Sequence, residues 1–468
     1  MEEPLQAGLA RFISGCSLEK IPEKFKADAR LRVLDWAGCA IAGAHYPQTV
    51  IAGRYLSSIG GAAESTAIGL DDRLPARSAA FLNGVAGHVC ELDDGHRTAI
   101  GHPGSVTIPV ALALAEKTGA SGADFLKAVI IGYDIFARLG RTVNPSHYKT
   151  WHTTGTVGTI AAAATAASIL GLNEEAANNA LGLAATMAGG LIESFGSHAK
   201  ALNIAEACQN GIDAALLAQS GFTGSHSALL GKKGFVAATC SDPHPENLEN
   251  PSEETLVSDT AFFKVYASCG HTNSPLDALF TLMKKHPLDP AAIRSVRVKT
   301  YRVAVDVTGA LRYGTEDEAK FSLPWCFAAA ITDGAVTLSQ FTREARADEG
   351  KLALARKIEV VEDPEATSLF PRRVAEVEVT LSDGTVLSEK VWNSNDAADP
   401  AVIRQKFLSA VQKTLGDEGA DKAADLLLAA DSLSGVCPAD QRCLRTGTPL
   451  TDPAFMPDLF LDCSPWPA

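Results

Sequence analysis

From Leu5 to about Thr239 apolar residues recur three and four positions apart, and that spacing confines the first half of the chain to helices. The segments "EKFKADARLRVLDWAGCAIAG", "SVTIPVALALAEKTG", "GADFLKAVIIGYDIFARLGR", "NEEAANNALGLAATMAGGLIESF" and "IAEACQNGIDAALLAQSG" are rich in Ala, and Gly closes several of them as helix C-caps require. Small side chains let helix axes approach closely, so a helical bundle is expected. The stretch at 153–172, "TTGTVGTIAAAATAASILGL", is long enough to cross a bilayer. Its Ala, Gly and Thr give little drive for insertion, which predicts a core helix and no membrane partner.

The pattern changes after the polar segment "SDPHPENLENPSEE" at 241–254. "IRSVRVKTYRVAVDV" at 293–307 alternates with period two and predicts a strand; "RVAEVEVTLSDGTVLSEKVW" at 373–392 predicts a hairpin turning at Asp383-Gly384. Helical spacing returns from "DPAVIRQKFLSAVQKTLG" onward. The expected architecture is mainly α: an all-α domain from residues 1–262 and 397–468, with an inserted α+β lid at 263–396 and a ligand cleft at their junction. The ending "DPAFMPDLFLDCSPWPA" supports no assignment.

A formal net charge of −14 disfavours nucleic acid, whose phosphates select basic surfaces. The ten cysteines contain no C-x-x-C pair, and the start "MEEPLQAGLARFISG" is acidic where a leader is basic, so a reducing cytoplasm is expected. No G-x-G-x-x-G follows a strand, "GSHSALLGKKG" lacks phosphate-loop spacing, and no H-E-x-x-H occurs, so neither cofactor nor metal is expected. A metal on Asp93, Asp94 and His102 is disfavoured because Arg97 already supplies a cation. "SHAK" at 197–200 matches a Ser-x-x-Lys acyl enzyme but has no partner motifs.

Five polar stretches interrupt the apolar text: "ELDDGHRTAIGHPGS", "PSHYKTWHTTG", "FGSHAKALNIAEA", "FFKVYASCGHTNSPLDA" and "AKFSLPWCFAAA". They offer His102, His152, Lys200, Lys264 and Arg97 as cations or acid/base groups, and Asp93, Asp94 and Tyr148 as orienting or proton-carrying groups. Singly, each has a plainer reading: His102 shaping a turn, His152 hydrogen-bonded in a core, Lys200 snorkelling, Arg97 paired with Asp93 or Asp94. Jointly they fit proton abstraction beside a carboxylate, which needs a placed base and cations where charge accumulates. A small polycarboxylate is the expected partner.

These stretches, together with "VLDWAGCAIAG", "WHTTGTVGTIAAAATAA", "KALNIAEACQNGIDAALLAQSGFTG", "FKVYASCGHTNSPLDAL" and "EAKFSLPWCFAAAI", resemble the MmgE/PrpD family over nearly the whole chain. That family includes 2-methylcitrate dehydratase, cis-aconitate decarboxylase and iminodisuccinate epimerase. The resemblance implies the helical domain and lid, a homodimer, and a site without a cofactor. It also implies an acidic position at Glu91 followed by Asp93 and Asp94, histidines at His102 and His152, and lysines at Lys200 and Lys264. Dehydratase and decarboxylase members look like Asp-x-x-Asp, a small polar residue and Trp, where this chain has "DDGHR"; the decarboxylase has Tyr where Trp325 stands. The departures lead to an epimerase of the iminodisuccinate type, with Lys200 and His102 or His152 on opposite substrate faces and Arg97 and Lys264 holding carboxylates. The alternatives are 2-methylcitrate dehydratase or cis-aconitate decarboxylase, a serine acyl enzyme on Ser197 and Lys200, and a non-catalytic polycarboxylate binder.

Overall fold

The computed structural model describes residues 5–257, 261–393, 399–433 and 435; the expected domain segment at 436–468 and its three cysteines lie outside the described residues. Among the described residues, nine long helices occupy the first half: α1 Leu5–Gly15, α2 Glu23–Gly43, α3 Pro47–Ile59, α4 Ala76–His88, α5 Gly104–Thr118, α6 Gly122–Val143, α7 Thr153–Ile169, α8 Glu174–Met187 and α9 Ala199–Gln219. The Ala-rich stretch forms α7, in which every residue is buried, and it packs against α5, α6, α8 and α9.

Two features let so polar a run fill a core. The hydroxyls of Thr159 and Thr165 donate to the carbonyls of Gly155 and Ala161 one turn back, at 2.7 and 2.9 Å, so they enter satisfied. Glycine on the facing helix removes the obstacle to close approach: a Cβ at Gly211 would lie 2.3 Å from that of Ala162. Among the described residues no helix is long and apolar enough to cross a membrane. The seven described cysteines are free thiols.

The C-terminal segment returns to these helices. Its helix Pro400–Leu428, broken at Gly416 with φ of 69°, packs along α2. Lys406 reaches Asp35 at 2.5 Å, and Arg30 clasps Asp431 through Nη2 at 2.7 Å.

Strand β1 (Gly95–His96) pairs antiparallel with β2 (Ala261–Phe262). The larger sheet runs β4-β3-β5-β6, with β3 Ile293–Thr300, β4 Ile358–Glu362, β5 Ala375–Leu381 and β6 Val386–Val391. β3 is parallel to β4 and antiparallel to β5, and β5 and β6 form the hairpin whose turn places Gly384 at φ 89°. The helix Asn273–Lys285 covers β5 and β6, while Leu323–Asp333 packs on β4. One expectation needs correction: the strand read at 293–307 ends at Thr300, and Arg302–Thr308 is helical, burying Ala304 and Thr308 four residues apart. The alternating valines there follow the strand period, but Ala304 and Thr308 supply a helical face. Two tight segments therefore bring the halves together: the β1–β2 pair, and the loop between α4 and α5 that carries Glu91 to Pro103.

Candidate active site

Three helix starts and one loop build a cavity. His102 stands just before α5, His152 caps the start of α7, and Lys200 lies in the first turn of α9. The cavity, with about 30 Å³ of open space, is lined by Glu91, His102, Tyr148, His152 and Lys200, with His271 and Arg373 from the second half.

Beneath the cavity lies a compact charge network. Lys200 ion-pairs with Glu91 and donates to His88 Nε2 at 2.9 Å. His88 donates through Nδ1 to Asp93 at 2.8 Å, and Ser105 donates to the same oxygen at 2.7 Å. Fully buried Lys264 donates to the Glu91 carbonyl at 3.1 Å and lies 3.8 Å from Asp93. Burial alone would raise the Glu91 carboxyl; Lys200 and Lys264 overcome it and hold the group well below the usual range. Burial opposes Asp93 likewise, and His88, His102 and Lys264 hold it down. Glu91 sits at φ 53°, a strained position kept by this set of contacts.

The two predicted histidines carry complementary protonation. His102 Nδ1 lies 2.6 Å from the carbonyl of Asp94, which can only accept, so the proton is on Nδ1 and Nε2 is the basic atom. His152 Nδ1 accepts from Asn203 Nδ2 at 3.1 Å, so its proton is on Nε2. Burial lowers both well below the ordinary histidine value, assisted at His102 by Lys264 and at His152 by Lys200, and both rings are neutral near pH 7. Phe195 meets His152 edge-on at 4.9 Å and, with Phe321, covers the Lys200 ammonium at 5.2 and 5.1 Å. Tyr148 stands 6.2 Å from His271, ring to ring.

The remaining predicted residues fall elsewhere. Lys264 and Asp93 sit behind Glu91, outside the lining. Asp94 is turned away: it accepts from Arg32 at 3.1 Å, Tyr133 at 2.9 Å and the Gly104 amide at 3.1 Å, which ties the loop to α2, α6 and the start of α5. Arg97, expected to hold a substrate carboxylate or else to pair with Asp93 or Asp94, is half-buried with its guanidinium 5.8 Å from the Phe262 ring; burial and Arg373 lower it to about 10. Trp325 does not reach the cavity; its indole donates to the Gln340 carbonyl at 3.3 Å and stacks on Tyr313. Ser197 is exposed and donates to the Ser194 carbonyl at 2.7 Å, while Lys200 is engaged with Glu91 and His88, so the acyl-enzyme pair does not form. Sequence reasoning passed over His88, His271 and Arg373. His271 lay within a polar stretch already singled out; His88 ends an apolar helix, and Arg373 leads into a strand.

A family model of the MmgE/PrpD N-terminal domain matches residues 7–248, and one of the MmgE/PrpD C-terminal domain matches residues 266–431. The chain belongs to the MmgE/PrpD family. Among its relatives, a cis-aconitate decarboxylase-like protein of Aspergillus oryzae is 25% identical, covering 93% of this chain and 96% of its own. The cis-aconitate decarboxylase of Homo sapiens is 27% identical over 83% of each, and that of Aspergillus terreus is 24% identical over 92% of this chain and 94% of its own. This MmgE/PrpD protein is thus an enzyme of a family that contains lyases.

Metal chemistry has one place to go in this MmgE/PrpD site. Among the described residues His88, Asp93 and His102 bring ligand atoms within 4.8 Å of one another. Both His88 nitrogens are already engaged, by Asp93 and Lys200, and the Lys200 and Lys264 ammoniums would repel a dication. The donor set fits proton relay better than metal ligation.

Proposed function

We propose that this chain is a lyase that moves a proton at a carbon next to a carboxylate of a small di- or tricarboxylic acid, with decarboxylation of a cis-aconitate-like acid as the first reading. The observation that carries it is the acid His152 Nε2–H beside the Lys200 ammonium, on the cavity that His102 also lines. In decarboxylation the carbon–carbon bond to the departing carboxylate breaks and its electron pair stays on carbon. Lys200 stabilises the charge that spreads onto the remaining carboxylate, and His152 delivers the proton; water then restores the imidazole. The cis-aconitate decarboxylases among the relatives support this reading.

A second reading, epimerisation of a dicarboxylate such as iminodisuccinate, draws on the same two histidines: His102 removes the α-proton and His152 returns one to the other face. Both the Gly95-His96-Arg97 departure and the complementary protonation favour it. Incubation with cis-aconitate, 2-methylcitrate and iminodisuccinate in deuterium oxide separates the readings by NMR. Released carbon dioxide with one deuterium in the product is expected for the first. Deuterium incorporation with no net product would replace it by the second, and neither exchange nor product from any acid would overturn both.

A further inference from the structure

Seven lysine and arginine side chains are buried among the described residues: Arg32, Arg138, Lys200, Lys264, Lys320, Lys351 and Arg373. Six of them have a carboxylate oxygen within 4 Å: Asp94, Asp134, Glu91 twice, Glu316 and Asp333 supply it. Arg373 has none among the described residues, although it is only 5% exposed. Its Nη1 donates to the Gly270 carbonyl at 2.9 Å, the Phe262 ring lies 5.1 Å from the guanidinium carbon, and its Nε has no hydrogen-bond partner. A guanidinium stays charged under all ordinary conditions, and an uncompensated buried charge is strongly unfavourable. Such a charge persists when something outside the fold completes it.

Arg373 lines the cavity. We infer that Arg373 anchors the distal carboxylate of the substrate. This inference rests on the proton-transfer reading proposed above and names the residue that holds the non-reacting end of its acid. Arg373 immediately precedes β5, in the sheet-bearing half, whereas His102, His152 and Lys200 belong to the helical half. An acid whose reacting end meets Lys200 and the two histidines, and whose distal carboxylate meets Arg373, bridges the two halves. The planar fork offers Nε and Nη2 as a parallel pair of donors, the geometry a carboxylate takes bidentately. Gly270 keeps that fork in place: a Cβ there would lie 3.1 Å from Nη1.

The test is calorimetric binding of succinate and tricarballylate against succinamate, in which one carboxylate is an amide, with turnover followed in parallel. The wild type should prefer succinate over succinamate at least tenfold. Arg373→Gln should reduce that preference to within twofold while leaving succinamate binding unchanged, and Arg373→Lys should keep part of it. Arg373→Gln should also melt no lower than the wild type in the absence of acid, because it removes an uncompensated charge; a purely structural arginine would melt lower. If the wild type binds none of these acids, or if Arg373→Gln keeps its KM and its dianion preference while turning substrate over, the inference is overturned and the proposed reaction is untouched in the second case. If succinate binds in an Arg373-dependent way but no acid is turned over, the anchor stands and the proposed reaction falls.

Discussion

Arg32 and Asp94 meet at 3.1 Å, both about 3% exposed, at a point where neither touches the cavity. Three donors converge on the Asp94 carboxylate, so the side chain is a fastening while its own backbone carbonyl fixes the tautomer of His102. Adjacent acidic residues thus divide the labour: Glu91 faces the chemistry and Asp94 holds the loop. Asp94→Asn removes a carboxylate whose charge burial already disfavours and leaves Arg32 paired with Asp28, so it should cost on the order of 1–3 kcal/mol in chemical denaturation near pH 7, through the hydrogen bonds lost. Whatever turnover survives should keep the wild-type KM. A large rise in KM at unchanged stability would place Asp94 in contact with substrate instead.

Glu91 is the shared counter-charge of two buried ammoniums. Glu91→Gln leaves Lys200 and Lys264 without it, and the expected loss is on the order of 3–5 kcal/mol, accompanied by loss of turnover. Glu91→Asp restores the charge on a shorter arm and should recover more stability than activity, since Lys200 is then held in a different place. Melting curves and kcat for the two variants check this; equal behaviour of Gln and Asp would show that charge is not what Glu91 contributes.

Much of this division was invisible in the sequence for physical reasons. Residue types nominated Glu91, Asp93 and Asp94 equally, because which carboxylate turns toward a cavity depends on Arg32 and Tyr133, 62 and 39 residues away in the chain. The helical half was legible since its period of 3.6 reflects burial directly, as α7 illustrates. Residues 302–308 were not, because valines at every second position read as a strand while the face the helix buries is Ala304 and Thr308, four residues apart. His88 reads as a core histidine from its apolar helix, and it is one by burial; its role comes from having Asp93 and Lys200 at its two nitrogens.

Stability should fall on mild acidification. Burial holds His102, His152 and His271 well below 6.5, so their contribution is complete above that value and is lost as pH falls and the unfolded chain binds protons. Each can contribute up to about 1.4 kcal/mol per pH unit below it. Glu91 and Asp93, held low, add a loss of the same sign below the ordinary carboxylate range. Asp94 runs the other way: burial and the nearby Asp35 and Asp93 push it up to about 6, so its contribution is present in acid and lost as pH rises through 6. Melting temperatures from pH 8 to 5 should therefore drop below 6.5, and more steeply in Asp94→Asn. A flat profile would mean that the three histidines bind protons as readily in the folded chain as in the unfolded one.

Trp325 tests whether distance from the cavity is real. Its indole is fully buried against Tyr313, and its N–H serves Gln340. Trp325→Phe should cost about 1–3 kcal/mol through lost packing and one orphaned carbonyl, with KM and product distribution unchanged. A changed product ratio at unchanged stability would bring position 325 into the chemistry.

The assignment of base and acid separates most cleanly in deuterium oxide. His102→Gln removes the free Nε2 lone pair, so a reaction that begins with proton removal should lose both turnover and α-deuterium exchange, by about a hundredfold or more. His152→Gln keeps an N–H donor of weaker acidity, so it should slow product formation while leaving exchange at His102 measurable. For decarboxylation, which needs only the acid, the order reverses: His152→Gln should suffer the greater loss of kcat, and His102→Gln should retain carbon dioxide release. The two variants, read for exchange and for carbon dioxide, thus distinguish a site that starts by taking a proton from one that ends by giving it. Equal loss of both signals in both variants would show that the complementary tautomers set by the Asp94 carbonyl and Asn203 do not translate into separate roles.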